Sequence, residues 1–281
     1  MPSGTRNSAV EHWQRMIQEE HSQSEKTRGT MVQSSDFWED RVSYFLQDPH
    51  RINNPYIETL TSKIDRTQTV LDVGAGAGRL ALPLARHCQH VTAIEPSESM
   101  AQGLLAGRSK AGITNLTLVK STWEKTTIPA SNIVLCAHVL YTILDVVKFV
   151  QKLETHALER VLLILHLKPP QSHLESIWRY VHQEERLRLP ALPELLEVLR
   201  EIGIYPDLEM LPTADQSGWA TREQAHKDLR KRLYVSPGTR HDKRLEQAMD
   251  KFLKNDGTII TVMGTEPGRP GLLSWSPSLR N

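Results

Sequence analysis

The chain has 281 residues, of which 39% are hydrophobic and 24% are charged, and its formal net charge is +1. This balance excludes a strong whole-molecule attraction to nucleic acids or to membrane surfaces. Its two cysteines, Cys88 and Cys136, exclude a disulfide framework and an iron–sulfur cluster held by three cysteines. No apolar stretch follows Met1, and the most apolar run, 161–167, is far too short to cross a bilayer, so we expect a cytoplasmic protein.

The N-terminal part of the chain is polar, and residues 22–29 in particular lack anything to bury. A short helix is predicted before them from the apolar spacing of Trp13, Met16 and Ile17. Ser35 is the expected N-cap of a second helix. That helix carries Phe37, Trp38, Val42, Phe45 and Leu46 at helical spacing. Pro55 then opens a third helix, which leads to the first strand.

Strands and helices alternate from residue 68 onwards. The predicted strands are 68–73, 90–95, 115–120, 131–136, 159–166, 204–211 and 258–263. The predicted helices are 79–87, 98–110, 144–156, 173–185, 193–202, 221–233 and 240–254. This alternation predicts an α/β fold with a parallel sheet that binds its ligand at the carboxyl ends of the strands. Residues 271–275 are expected to pair with 258–263 as a late hairpin.

A glycine-rich turn follows the first strand, in the stretch 69–79, TVLDVGAGAGR. Glycines at 74, 76 and 78 allow positive φ and let a ligand approach the main chain closely. A dinucleotide fingerprint would need a glycine at 79, where this chain has Arg79. The simpler interpretation is an α/β domain in which these glycines only make a tight turn between strand and helix.

The second strand ends in Glu95, at the distance from the glycine turn where an acidic residue holds ribose hydroxyls. With Asp72 and the run 93–100, AIEPSESM, the sequence resembles the class I S-adenosylmethionine-dependent methyltransferases. The resemblance is good over about 69–155 and looser elsewhere. It implies a Rossmann-like seven-stranded, mostly parallel sheet with one antiparallel strand, helices on both faces and a helical cap.

The resemblance also assigns the cofactor site, with S-adenosyl-L-methionine as cofactor and S-adenosyl-L-homocysteine as product. Asp72 would lie near the amino group of the methionine moiety, Glu95 would accept from both ribose hydroxyls, and the glycine turn would contact the cofactor through backbone. Ser121 stands where relatives often carry an acid for the adenine amino group, and Trp123 either lies against the purine or packs in the core. The full predicted set is Asp72, Gly74, Ala75, Gly76, Gly78, Glu95, Pro96, Ser121, Thr122, Trp123 and Ala137.

Catalytic candidates lie at the ends of the fourth and fifth strands. His138 is the first candidate for a general base, Tyr141 the second and His166 the third. For each of them, a purely structural role is the alternative. The chain shows no acidic metal triad, so we predict no metal ion in the reaction.

The acceptor is predicted to be a small molecule, because the segment after the fourth strand, 136–139, lacks the Asn/Asp-Pro-Pro-aromatic motif of enzymes that methylate amino groups of bases. A cap would hold this acceptor, unless its residues only pack the added helices onto the sheet. Its predicted residues are Phe37, Trp38, Tyr44, Trp178, Tyr180, His182, Arg186 and Arg188. We divide the chain into an N-terminal tail with cap helices, 1–50, and a methyltransferase domain, 51–281, with a helical insertion at about 169–203.

Two other functions stay open from the sequence. Residues 222–244 hold eight basic residues against three acidic ones, a face that would suit a methyltransferase acting on nucleic acid or protein. Because basic helices on neutral proteins are more often solvated surface, we expect no nucleic-acid partner. A protein that binds S-adenosylmethionine without catalysis is the third possibility.

Overall fold

The computed structural model describes most of the chain, and nothing is stated for residues 1–7, 32–35, 37, 40–41, 47, 49, 51–53, 214–217 and 278–281 or for the side chains of Ser43, Tyr44 and Pro55. The predicted N-cap Ser35 and the predicted cap side chains of Phe37 and Tyr44 therefore lie outside the described residues. The described residues form two compact units. The sheet unit comprises 33–165, 196–212 and 270–281, and the helical unit comprises 1–32, 166–195 and 213–269.

The strands of the described residues are β1 Thr69–Val73, β2 His90–Ile94, β3 Leu116–Val119, β4 Ser131–Ala137, β5 Ala157–His166, β6 Asp207–Met210, β7 Leu253–Asn255, β8 Ile260–Val262 and β9 Pro270–Trp275. Seven of them form one sheet in the order β3-β2-β1-β4-β5-β9-β6. The pairs from β3 to β5 are parallel, and β9 runs antiparallel to β6. The predicted Rossmann-like, seven-stranded and mostly parallel sheet is confirmed.

The helices are α1 Ala9–Arg28, α2 Val42–Phe45, α3 Pro55–Thr61, α4 Ala81–Ala85, α5 Glu98–Lys110, α6 Val146–His156, α7 Glu175–His182, α8 Leu192–Glu201, α9 Arg222–Arg232 and α10 Arg240–Phe252. Helices α4 to α6 alternate with the parallel strands, as predicted. Serine and asparagine side chains cap several of them: Asn54 accepts from the N–H of Ile57 at the start of α3, and Ser97 accepts from the N–H of Met100 at the start of α5.

The central strands of the sheet unit are buried on both faces. Val70 pairs with Ile133, and Asp72 pairs with Leu135, across β1 and β4. The runs of Val, Ile and Leu in these strands are typical of parallel strands covered by helices on both sides. All parallel strands end at the same edge, so the segments that follow β1, β2 and β4 come together there.

One prediction at the N-terminus is wrong. Residues 22–29 were expected to have nothing to bury, yet α1 continues to Arg28. Glu20 and Ser24 are buried along with Trp13 and Ile17, and the Ser24 hydroxyl donates to Glu20 Oε1 at 2.9 Å. Polar side chains become buried at little cost when they bond to each other, and composition alone does not reveal such a pair.

The predicted late hairpin is also wrong. β8 pairs with β7 in a separate two-stranded sheet of the helical unit, and β9 instead enters the large sheet beside β6. Five of the six residues of β9 are buried, which fits a strand inside a large sheet better than one arm of an isolated hairpin. The antiparallel strand is thus present as predicted, with a different partner.

The helical unit has a core of its own. Helix α7 contributes Ile177, Trp178 and Val181, all fully buried, and α9 and α10 add further apolar side chains, among them Leu229 and Leu245. Helix α7 lies inside the predicted insertion at 169–203, and the predicted division of the chain at residue 50 stays a prediction. No helix within the described ranges is both long enough and apolar enough to traverse a bilayer.

Candidate active site

The glycine turn after β1 folds against the ends of two neighbouring strands. The N–H groups of Gly74 and Ala75 both donate to the carbonyl oxygen of Ile94, at 2.9 and 3.0 Å. Gly74 has φ +76°, and a Cβ there would lie 2.3 Å from Val139 Cγ2, so only glycine fits. The turn therefore packs directly against the segment that follows β4.

Gly76 presents an open face. It has φ +56°, yet a Cβ built on it would meet nothing within 4 Å, so the conformation requires glycine while the space beside it is free. Gly78 differs, because a Cβ there would lie 2.8 Å from Leu82 Cγ. The open side of the turn thus lies at Gly76, and Gly78 packs against the helix; the cofactor contact of Gly76 stays a prediction.

Glu95 ties the glycine turn to the start of α5. Its Oε2 accepts from the N–H of Gly76 at 2.7 Å and its Oε1 from the N–H of Ser97 at 2.8 Å. Burial raises the pKa of this carboxyl group, and the two backbone hydrogen bonds oppose the rise. Each carboxylate oxygen can accept two hydrogen bonds, so the two oxygens of Glu95 can each accept one more. Two ribose hydroxyls would be suitable donors.

Asp72 is the most perturbed acid of the site. It is 2% exposed, and its Oδ2 is buried without a hydrogen-bond partner among the described residues. Burial and the charge of Glu95 raise the pKa of Asp72 to about 7, against the charge of Arg79. A buried carboxylate oxygen of this kind is costly unless a donor or cation meets it, and the ammonium group of a methionine moiety is such a partner.

The end of β3 offers less to a ligand. The Ser121 hydroxyl donates to the carbonyl of its neighbour Thr122 at 3.1 Å. Trp123 is 3% exposed, its indole N–H donates to the carbonyl of Phe149 at 3.4 Å, and the ammonium of Lys152 lies 4.7 Å from its ring centre. These contacts are those of a side chain packed against α6, and a contact of Trp123 with a purine stays a prediction.

His138 follows β4 in a backbone conformation that is uncommon for residues other than glycine. Its φ is +62°, and its N–H donates to the carbonyl of Ile164 at 2.8 Å. Tyrosine hydroxyls lie 3.2 Å from both ring nitrogens, that of Tyr56 from Nε2 and that of Tyr141 from Nδ1. The structure brings the first two catalytic candidates together and adds Tyr56, which the sequence analysis did not single out.

His166, the third candidate, ends β5 and lies against another glycine. A Cβ on Gly268 would come within 2.9 Å of His166 Nδ1. Of the flanking cofactor residues, Pro96 is exposed and Ala137 is half-buried at the end of β4. Their contacts with a cofactor stay predictions.

The predicted cap residues of the helical unit have partners within that unit. The Arg186 guanidinium lies 4.8 Å from the ring centre of the fully buried Trp178. His182 Nε2 is 2.8 Å from the Leu233 carbonyl oxygen, and Arg188 pairs with Glu175 at 2.7 Å. The Tyr180 hydroxyl donates to Gln247 at 3.4 Å. These side chains thus have contacts within the helical unit, and their role in binding an acceptor stays a prediction.

Acidic partners occupy much of the basic 222–244 face. Arg230 makes a two-pronged contact with Asp242, with distances of 2.7 and 2.5 Å, and Arg232 pairs with Asp228 at 2.8 Å. Arg222 reaches Asp250 at 2.7 Å, an acid that lies beyond the basic stretch in sequence. The face is therefore less positive than the sequence window indicates.

Comparisons with known proteins agree with this geometry. Residues 70–157 match a family model described as a methyltransferase domain. An uncharacterized protein of Haemophilus influenzae is 26% identical over 199 residues, which are 69% of this chain and 70% of the relative.

Two solved structures share the fold. A putative methyltransferase from Bacillus halodurans has a TM-score of 0.53 at 18% identity, covering 79% of this chain and 96% of that one. A methyltransferase from Geobacter sulfurreducens in complex with S-adenosyl-L-homocysteine has a TM-score of 0.50 at 19% identity, covering 85% and 98%. The acids and glycines of the cofactor motif lie inside the matched domain. Residues 70–157 therefore match a methyltransferase domain, and the chain shares its fold with these two solved structures.

Proposed function

We propose that this enzyme methylates a small-molecule acceptor, with His138 as the proton-accepting group. The observation that carries the proposal is the cluster of Tyr56, His138 and Tyr141 at the carboxyl end of β4, in which Tyr141 is buried and the other two are half-buried. Val139, the next residue, packs on the glycine turn, so the cluster adjoins the predicted cofactor face. Because little of this cluster is exposed, it suits an acceptor narrow enough to reach His138.

S-adenosylmethionine supplies a methyl group activated by a sulfonium. Asp72 would pair with its ammonium group, Glu95 would accept from its ribose hydroxyls, and the open face of Gly76 would lie against it. Holding an acceptor in line with the methyl group contributes up to roughly 7–11 kcal/mol when the geometry is ideal. A hydroxyl or ammonium acceptor also loses a proton, which His138 would take.

A methyltransferase acting on nucleic acid is the weaker reading. The sequence lacks the motif of base-methylating enzymes, and the acids at 228, 242 and 250 pair with arginines of the basic face. Both observations favour an acceptor other than a polyanion.

The test is methyl transfer from labelled S-adenosylmethionine to a panel of phenols, amines, thiols and carboxylic acids. With an acceptor found, His138→Gln should lower turnover by about 10²–10⁴ and leave affinity for S-adenosylhomocysteine nearly unchanged. A loss of melting temperature with per-molecule activity retained would assign His138 a structural role. Transfer to bulk RNA but to none of the small molecules would contradict the proposed acceptor class.

A further inference from the structure

Tyr56 reaches the reaction site from α3, 82 residues away from His138 in sequence. Its hydroxyl meets Nε2 of the His138 ring while the Tyr141 hydroxyl meets Nδ1, each at 3.2 Å. A neutral imidazole has one N–H and one lone pair, so one of these tyrosines donates to the ring and the other accepts from it. Which tyrosine donates decides the direction in which a proton can travel.

Arg79 favours one answer. Its guanidinium carbon lies 5.5 Å from the centre of the Tyr56 ring, and its charge lowers the pKa of the Tyr56 hydroxyl against the larger effect of burial. A permanent cation beside the ring favours Tyr56 as the hydrogen-bond donor, so we assign its proton to the bond with His138 Nε2. The ring then carries its proton on Nδ1 and donates it to the Tyr141 oxygen.

The two tyrosines also differ in exposure. Tyr141 is 4% exposed, whereas Tyr56 is only partly buried. The Tyr141 ring lies parallel to that of His138, at an interplanar angle of 8°. We therefore place the acceptor at Tyr56, the more exposed of the two side chains, and assign Tyr141 to holding the His138 ring.

We propose that Tyr56 is the proton-relay residue of the methyl transfer, taking the acceptor's proton on its oxygen while its own proton passes to His138 Nε2. The proposal rests on the proposed function. For each methyl group gained, the acceptor loses one proton. The positive charge that disappears when a sulfonium becomes a thioether thus reappears on His138, protonated at both nitrogens and bonded to two hydroxyl oxygens. Release of one proton to solvent restores the starting tautomer.

Tyr56 cannot act as the base by itself. Burial and the charge of Asp72 raise its pKa to about 12 against the charge and hydrogen bond of Arg79, with burial the largest effect. Its hydroxyl is accordingly protonated at neutral pH. It accepts a proton only if it donates its own proton to His138 in the same step. Tyr56 and His138 therefore function together.

Tyr56→Phe and Tyr141→Phe form a matched pair of variants, since each removes one hydroxyl from one nitrogen of the same ring. The first measurement needs no acceptor: ¹⁵N-histidine NMR of the wild-type protein, with the His138 signals assigned by their loss in His138→Gln. We expect the Nδ1–H tautomer in the wild type and an increase of the Nε2–H tautomer in Tyr141→Phe. The Nε2–H tautomer in the wild type would overturn the proposal.

The second measurement is turnover with an acceptor from the panel. Tyr56→Phe should lower it by about 10²–10⁴ for a phenol or amine, more than Tyr141→Phe does, while S-adenosylhomocysteine affinity and melting temperature stay near wild type. Equal losses in the two variants, or none in Tyr56→Phe, would overturn the relay. Failure of the wild type to bind S-adenosylhomocysteine would contradict the proposed function instead. The tautomer measurement would still show which tyrosine donates its hydrogen bond to His138.

Discussion

At the scale of single residues, Asp72 carries the largest electrostatic cost of the site. Its carboxyl group keeps a proton up to about pH 7 because it is buried near Glu95, with Arg79 only partly compensating. An unfolded aspartate loses its proton near pH 4. Between these two values the folded state binds more protons than the unfolded state, so this group lowers the free energy of unfolding as pH rises through the window.

Asp72→Asn should therefore raise the free energy of unfolding at pH 8, by up to about 4 kcal/mol, and leave it nearly unchanged below pH 4. Denaturant melts of both proteins at a series of pH values measure the difference. The same variant should lose most of its affinity for S-adenosylhomocysteine, because the charge for the ammonium group is gone. A variant that is equally or less stable at pH 8 would show that the buried charge is compensated in the folded protein.

At the scale of an element, the turn between β1 and α4 combines glycines at positive φ with an open face at Gly76. Gly76 and Gly112 form a natural comparison, because both have positive φ, +56° and +63°, and a Cβ on either would meet nothing within 4 Å. Gly112 lies after the end of α5, and Gly76 donates its N–H to Glu95. The two glycines thus share a conformation and differ in their surroundings.

Gly76→Ala and Gly112→Ala should each cost about 1–2 kcal/mol of stability, the strain of an alanine in the left-handed region. Only Gly76→Ala should weaken S-adenosylhomocysteine binding, by tenfold or more (about 1.4 kcal/mol), because its methyl group enters the cofactor face. Calorimetric titration and thermal melting of both variants give the comparison. Equal affinities in the two variants would move the cofactor contact away from Gly76.

At the scale of the whole molecule, the net charge of +1 and the arginine–carboxylate pairs of α9 and α10 leave little attraction for a polyanion. Binding to bulk RNA should be weak, with a slope of log K against log salt shallower than about −2, since each neutralised phosphate of a single strand contributes about −0.7. A filter-binding series from low to high salt measures it. Replacing the exposed Lys227 and Lys243 by glutamate should change this RNA binding little. A steep slope in the wild type that is lost in the double variant would favour the nucleic-acid alternative.

The sequence by itself determined the local parts of this protein. The glycine turn, Asp72 and Glu95 at the ends of β1 and β2, and the alternation of strands and helices follow from residue types at fixed spacing, because backbone conformation and hydrophobic periodicity are properties of a short stretch of chain. These parts were sufficient to identify the fold and the cofactor motif. They placed His138 and Tyr141 at one strand end, since the two are three residues apart.

Tertiary structure decided what depends on partners distant in sequence. Tyr56 meets His138 across 82 residues, β9 pairs with β6 and not β8, and Arg222 finds Asp250 on another helix. In each case the residue types and spacing allow several partners. The choice among them is made by packing and hydrogen bonding of the folded chain, which sum over many contacts and leave no signature in a local stretch of sequence.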